Sequence, residues 1–508
     1  MLQNNNRLSK GLNLWAIYGI CLITSAIFFL LFGFNSPLYT YNSDHDYQWF
    51  MTMGNGLVHG KIPYRDLFEQ KGPIVYFVTA FCCLFPNPGI VMLIIEIFSM
   101  SLFFFFAYRI CRKRLNSFYS LLALPILAFA IFTSNLKFAT GGTVEEFCLP
   151  ILTYLLFCWL EFLLEKRQWN WLRSLCVGLC FGIMLWVKYT LFYFVLVPML
   201  IWFIISLRRR QYRALIINIL CMFAGVLLIS APVLAFYAVH NALDDLFYVY
   251  FYVNLTAYGA PLTIIVFNTK LFFSTGPIFL FLIFYTIIIT ATNLKFDKSH
   301  LLLLIGLLIN ILLLICFCNG NIYQYTTLTP FTILGITNLL CFINTKINIE
   351  IYKNKKGIFA IITTICLITC TPLTILPYEF NIEKNEYTAL KIAKVIKDYE
   401  KTKEIKTTLF CYKLADYGFY NAAQIIPNNY FYAENYFYEQ RFPEMYLDFK
   451  KYIINKTSDF VITEFTTWYN EKDFLSQYYD MYTDEIYHSE EFWHSEQEEL
   501  YFVLLIKK

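Results

Sequence analysis

Along the 508-residue chain, apolar residues fall in blocks of about 20 separated by short polar breaks. The blocks occupy 14–34, 90–110, 118–132, 147–164, 175–187, 191–207, 215–239, 262–290, 301–317, 326–342 and 358–376. That pattern predicts a polytopic α-helical membrane protein of about eleven spans. One further apolar run, 74–85, reaches only roughly 18 Å as a helix against a hydrocarbon core of about 30 Å. It is therefore expected to rest in the interface, and Pro86-Asn87-Pro88-Gly89 then turns the chain into the next span.

Beyond residue 376 the pattern changes. Helix-like runs at 389–399 and 441–453 alternate with strand-like ones at 407–412, 459–463 and 499–505. The reading is a membrane domain over 1–376, with a first external loop at 35–89, and a small α/β domain over 377–508. No repeat or low-complexity segment interrupts either.

Positive charge orients the spans, because short cytoplasmic loops are enriched in Lys and Arg. Arg7 and Lys10 place the N-terminus inside, and the first block lacks a small-x-small cleavage pattern, so it reads as a retained helix. If 74–85 does not cross, the clusters at Arg109 to Arg114, Lys166 to Arg173, Arg208 to Arg213, Lys295 to Lys298 and Lys346 to Lys356 all fall on the cytoplasmic side. The first loop, Lys188 and the C-terminal domain are then extracytoplasmic. The expected location is the cytoplasmic (inner) membrane.

Composition refines this picture. The chain is 58% apolar and 20% aromatic with only 15% charged residues, and its net charge of +4 hides an asymmetry: about two thirds of the Asp and Glu follow residue 376. No basic face for nucleic acid is implied. Nearly all of the 15 cysteines lie inside apolar blocks, where they act as small hydrophobes, and Cys411 stands alone in the C-terminal part, so no disulfide framework is expected.

Candidate chemistry concentrates in the first loop, which packs Asp44, Asp46, Arg65, Asp66, Glu69 and Lys71 between apolar segments. Local structure accounts for part of this: Ser43 is placed to cap a helix, with Asp46 three residues on closing a capping box and Tyr47, Phe50, Met51, Met53 and Leu57 forming an apolar stripe. It leaves Arg65, Asp66, Glu69 and Lys71 unexplained. The loop serves either an enzyme acting on a lipid-linked substrate or a solvated connection in a transporter or flippase of envelope lipids or in a structural membrane protein.

The run from Asp46 through Phe50, Gly54 and Gly60 to Lys61-Ile62-Pro63-Tyr64-Arg65-Asp66-Leu67-Phe68-Glu69-Gln70-Lys71-Gly72-Pro73 resembles the first external loop of GT-C superfamily membrane glycosyltransferases. The likeness is to bacterial relatives of protein O-mannosyltransferases and of the lipid A aminoarabinose transferase (glycosyltransferase family 39-like). Thr143-Val144-Glu145-Glu146-Phe147 resembles the family's acidic second external loop, Lys188 its lysine at an external helix turn, and Tyr323-Gln324-Tyr325 a late external motif in which the family commonly has His where this chain has Gln324.

The resemblance implies an inverting transferase that takes a sugar from a polyprenyl phosphate at the outer membrane face and passes it to a lipid, cell-envelope glycan or protein acceptor. Asp46, in the place of the family's Asp, is then the general base, and Asp44 orients it or binds acceptor. Lys71 and Lys188, with Arg65 as a further option, would meet the charge growing on the lipid phosphate. Glu145, Tyr323 and Tyr325 complete the expected substrate contacts. Bland roles compete: Lys188 can snorkel from a helix end, and Arg65 can pair with Asp66 or Glu69.

No metal site is assigned and no cofactor is expected. Asp44, Asp46, Glu145 and Glu146 would nevertheless suit a hard divalent cation. His45 and His59 lack partners at ligand spacing, and no nucleotide-binding glycine loop or G-x-S-x-G pattern is present.

Overall fold

A computed structural model describes residues 13–346 and 387–508, except 133, 135, 137, 257–262, 296, 319, 435–438, 440, 494 and 495. The expected eleventh span, 358–376, and the domain boundary at 376/377 lie outside the described residues. Among the described residues, eight helical runs are long and apolar enough to cross a membrane.

The chain begins with α1 (Leu14–Phe32), α2 (His45–Val58), α3 (Pro73–Cys83), α4 (Pro88–Cys111), α5 (Ser117–Phe132) and α6 (Val144–Leu163). Side-chain contacts fix their directions. Tyr18 meets Ser101 and Ser25 meets the carbonyl oxygen of Ile97, while Asn35, just past α1, donates to Glu96 near the start of α4. Helices α1 and α4 are thus antiparallel, and α3, between them, begins and ends at one level of the bundle. The 11-residue α3 does not cross.

The apolar run Trp171–Arg208 is a hairpin made of α7 (Trp171–Lys188) and α8 (Tyr193–Arg208). In a straight helix Trp169 and Trp202 would lie about 50 Å apart, yet their rings stack at 5.1 Å. Asn218 donates to the carbonyl oxygen of Trp169, and Trp186 donates to Ser230, so α9 (Tyr212–Val239) runs parallel to α7. Glycines let these two helices touch: a Cβ on Gly178 would sit 2.0 Å from the Met222 carbonyl oxygen. Lys188 therefore lies at the turn opposite the arginines of the α7 start and the α8 end.

The single span expected at 262–290 is instead two helices, α12 (Thr263–Ser274) and α13 (Pro277–Asn293), which follow the short α10 (Leu243–Leu246) and α11 (Asn254–Thr256). Gly276, at φ 117, and Pro277 break the run: the glycine alone tolerates that backbone, and the proline cannot donate to a preceding turn. Helices α14 (Ser299–Phe317) and α15 (Thr329–Lys346) complete the described bundle.

Basic residues collect at one end. Glu161, buried, takes Lys113 at 3.2 Å, Arg167 at 3.1 Å and Arg173 at 2.5 Å, and Arg209 lies over the Phe162 ring. The first loop and the C-terminal domain sit at the other end.

That domain carries a five-stranded sheet built on β5 (Glu496–Lys507). Strand β2 (Phe460–Glu464) pairs antiparallel with it on one side, and β1 (Leu409–Cys411) adds parallel to β2. On its other side β5 pairs with β3 (Tyr479–Met481) and β4 (Tyr487–Trp493). The two helices expected from sequence cover opposite faces. Phe460 packs on Tyr399 of helix Thr388–Lys403, whereas Phe410, whose partner in the ladder is Val461, packs on Phe449 of helix Pro443–Ile454. Alternation along paired strands makes these faces opposite. The expected α/β character of the domain is present.

Candidate active site

The loop helix α2 starts one residue later in its capping than the sequence reading had it. Asp44, and not the expected Ser43, is the N-cap, accepting from the Tyr47 N–H at 2.9 Å. The cap assignment shifts because the Asp44 backbone is tied back to Asn42, whose side-chain oxygen accepts the Asp44 N–H at 3.0 Å. The Asp46 carboxylate lies 3.8 Å from the Lys71 ammonium, both half-buried at 13% and 15% exposure.

Lys71 is presented by a clamped backbone. Its N–H donates to Glu69 at 2.9 Å, and its carbonyl oxygen accepts from Tyr64 and from Tyr76. Tyr76 also donates to Glu69, which is wholly buried. The next residue, Gly72, donates through its N–H to the Val187 carbonyl oxygen at 3.1 Å, and a Cβ there would lie 2.0 Å from the Trp186 carbonyl oxygen. Lys71 is thereby set beside the end of α7, where Lys188 follows Val187.

Lys188 is ion-paired with Glu145, which is 1% exposed, and its ammonium lies 5.7 Å from the Tyr323 ring centre. Glu145 opens α6, and just before it Gly142 packs on α2: a Cβ at Gly142 would meet the Asp44 Oδ1 at 2.1 Å and the Asp46 Cβ at 3.1 Å. The contacts close on themselves, from Asp46 to Lys71, across Gly72 and Val187 to Lys188, on to Glu145, and back through Gly142 to Asp44 and Asp46. Five of the sequence-expected residues, with Tyr323, share this cluster.

Two others do not join it. Arg65 pairs through two nitrogens with Asp66, at 3.0 and 2.9 Å, and donates to the His240 carbonyl oxygen at 2.8 Å. The competing local role is the one the structure displays for it. Burial raises the Asp66 carboxyl, but the Arg65 contact and the Ile62 N–H outweigh it, so its pKa is lowered. Tyr325 is fully buried, donating to the Asn268 carbonyl oxygen at 2.8 Å, a packing position.

Several positioning groups were given no role from sequence. Glu69, Tyr64 and Tyr76 fix the Lys71 backbone, and Gly72 and Gly142 permit the close approaches. Asn42 donates to Asn35 at 3.0 Å and to the Thr140 carbonyl oxygen at 2.8 Å, and Asn35 in turn donates to Glu96. Tyr64, Glu69 and Gly72 stand in the first-loop motif, whereas Tyr76 lies beyond it. Glu146, weighed as a metal ligand, accepts from the Ala139 N–H and the Thr143 hydroxyl. Among the described residues, no group of three or more His, Cys, Asp or Glu side chains is arranged to hold a metal ion.

The C-terminal domain closes over α2. Thr52 donates to Asp416 at 2.8 Å, Tyr41 to the Gly418 carbonyl oxygen at 3.0 Å, and Asn421 to the Gln48 side-chain oxygen at 2.8 Å. Phe68 stacks on Phe442 at 5.4 Å.

A two-part set of comparisons fits this architecture. Residues 71–236 match the family model described as dolichyl-phosphate-mannose-protein mannosyltransferase, a stretch that includes Lys71, Glu145 and Lys188 but not Asp46. The fold is similar to that of ArnT from Cupriavidus metallidurans bound to undecaprenyl phosphate, with a TM-score of 0.53 at 11% identity over 96% of this chain and 97% of that one. It is also similar to the archaeal oligosaccharyltransferase AglB from Archaeoglobus fulgidus, in complex with an inhibitory peptide and a dolichol-phosphate, with a TM-score of 0.51 at 10% identity over 91% of this chain and 71% of that one. No curated protein sequence matches. The fold is similar to the multi-pass membrane architecture of these two transferases.

Proposed function

We propose that the protein is an inverting glycosyltransferase that moves a sugar from a polyprenyl-phosphate donor to a lipid, cell-envelope glycan or protein acceptor at the extracytoplasmic face of the membrane. The observation that carries the reading is that the Asp46–Lys71 pair and the Glu145–Lys188 pair lie at one end of the bundle, their backbones joined by the Gly72 to Val187 hydrogen bond; one small group bridging a base and two cations there is the arrangement such a transfer needs. Polyprenyl phosphate is what the solved ArnT structure holds, and dolichol-phosphate what the AglB structure holds.

In this account the two ammonium groups receive the donor phosphate. Asp46 takes the proton of the acceptor as the acceptor atom attacks the anomeric carbon from the face opposite the phosphate. The bond from that carbon to the phosphate oxygen breaks, and polyprenyl phosphate leaves with the electron pair. A carboxylate paired with a lysine is a weak base, since the cation favours its ionised form. Phosphate competing for Lys71 would loosen the 3.8 Å contact and strengthen Asp46 when donor is bound. Glu145, buried beside Lys188, holds that ammonium toward the same place.

The transporter or flippase reading would draw support from acidic residues near the middle of the bundle. Glu161 belongs to the basic end, and Glu96 is held by Asn35 at the opposite end. Both positions favour the enzyme. Purified protein supplied with a panel of polyprenyl-phosphate sugars and membrane-extracted acceptors should release polyprenyl phosphate in step with sugar transfer. Absence of release with every donor would remove this function.

A further inference from the structure

The basic end of the bundle contains a cavity of ≈ 230 Å³ lined by Trp169, Trp202, Ser206, Arg210, Arg213 and Asn218. It lies at the start of α7, about 26 Å along that helix from Lys188, and is separate from the site proposed for transfer. The stacked Trp169 and Trp202 rings form a buried wall, and the buried side chains of Ser206 and Asn218 add polarity beside it.

Charge at the cavity differs from charge around it. Lys113, Arg167 and Arg173 are all ion-paired with Glu161, and Lys113 also with Glu165. Arg210 and Arg213 are exposed, and among the described residues neither forms an ion pair. Directly along the helices from the cavity, Leu172, Phe203, Ile204, Ile216, Ile217 and Leu220 present exposed apolar side chains.

We propose that this cavity seats the phosphate headgroup of an anionic phospholipid, with Arg210 and Arg213 as its ligands and the acyl chains lying on the exposed faces of α8 and α9. A guanidinium pair offers forked donors that match phosphate oxygens, and tryptophan is suited to the level of the headgroups. The volume is below the roughly 300–1,000 Å³ of sites that enclose a whole small ligand. It fits a headgroup whose hydrophobic remainder stays outside. The bound lipid would join the starts of α7 and α9 to the end of α8, bracing the hairpin that carries Lys188.

The test uses the full-length protein in phosphatidylcholine nanodiscs containing a minor fraction of phosphatidylglycerol, with lipid retention read by native mass spectrometry and stability by melting temperature. The wild type should retain phosphatidylglycerol in preference to phosphatidylcholine. R210Q/R213Q should lose that retention roughly tenfold, the scale of a lost charge-assisted bond, while R208Q/K298Q, which removes two exposed charges outside the cavity, should retain it. Equal loss in both double variants would show general surface attraction and overturn the site. Inorganic phosphate raising the melting temperature as far as phosphatidylglycerol does would assign the cavity to a free anion and overturn the lipid. If R210Q/R213Q shows no folded transition, R213Q alone carries the same comparison.

Discussion

The N–H of Gly72 donates to the carbonyl oxygen of Val187 at 3.1 Å, joining the first loop to the end of α7. Through that one bond two lysines far apart in the chain, Lys71 and Lys188, become neighbours. The position tolerates no side chain, since a Cβ would come within 2.0 Å of the Trp186 carbonyl oxygen. G72A should therefore push the loop off α7 and lower sugar transfer by about 100-fold, the cost of a misplacement near 1 Å. Transfer assays on the purified variant, with its chromatographic profile unchanged, check this.

Glu145 is almost completely buried and has Lys188 as its ion-pair partner. K188A leaves a buried carboxylate without that cation and should destabilise the protein by about 3–5 kcal/mol. K188A/E145Q should recover much of the melting temperature but none of the transfer. Full recovery of transfer in the double variant would show that Lys188 serves only to neutralise Glu145.

Asp44 has two assignments that a pair of variants separates. As an N-cap, its replacement by Ala costs about 1 kcal/mol, whereas Asn keeps the cap. D44N should therefore match the wild type in melting temperature. If Asp44 also orients Asp46 or binds acceptor through its charge, D44N will still lose transfer; retained transfer restricts Asp44 to capping.

Asp416 ties the C-terminal domain to α2 through Thr52. Burial pushes its carboxyl up to about 6 from 3.8, against hydrogen bonds from Thr52 and the Gly418, Tyr420 and Phe419 N–H groups. The folded protein thus holds this proton at pH values where the unfolded chain has released it. Stability from this group is greatest below about pH 4, falls as pH rises toward 6, and is flat above, a change of roughly 3 kcal/mol. Melting curves between pH 4 and 7 should show that fall, and D416N should remove it.

Much of the membrane domain was legible because hydropathy and basic clusters report directly on spans. The shortness of 74–85 sufficed to keep α3 from crossing, as the antiparallel α1 and α4 confirm. The break at Gly276 and Pro277 was written in the sequence as Ser274-Thr275-Gly276-Pro277, a turn signal that the single-span reading passed over. Strands β3 and β4 escaped because they are short or polar, drawing their place from β5 and not from their own pattern. In the site, charged residues with a motif were visible, but Tyr64, Tyr76 and Glu69 act through backbone contacts that no spacing encodes. Arg65 and Tyr325 show the reverse: residue type suggested substrate, while the fold gave each an internal partner.

Asp46 as the base is the claim on which the catalytic account depends. The most direct measurement is the single-turnover rate of sugar transfer by D46N from bound polyprenyl-phosphate sugar, with donor binding measured on the same sample. The account predicts donor binding close to wild type and a rate lower by about 10²–10⁴-fold. Transfer at the wild-type rate by a D46N protein that binds donor normally would contradict it.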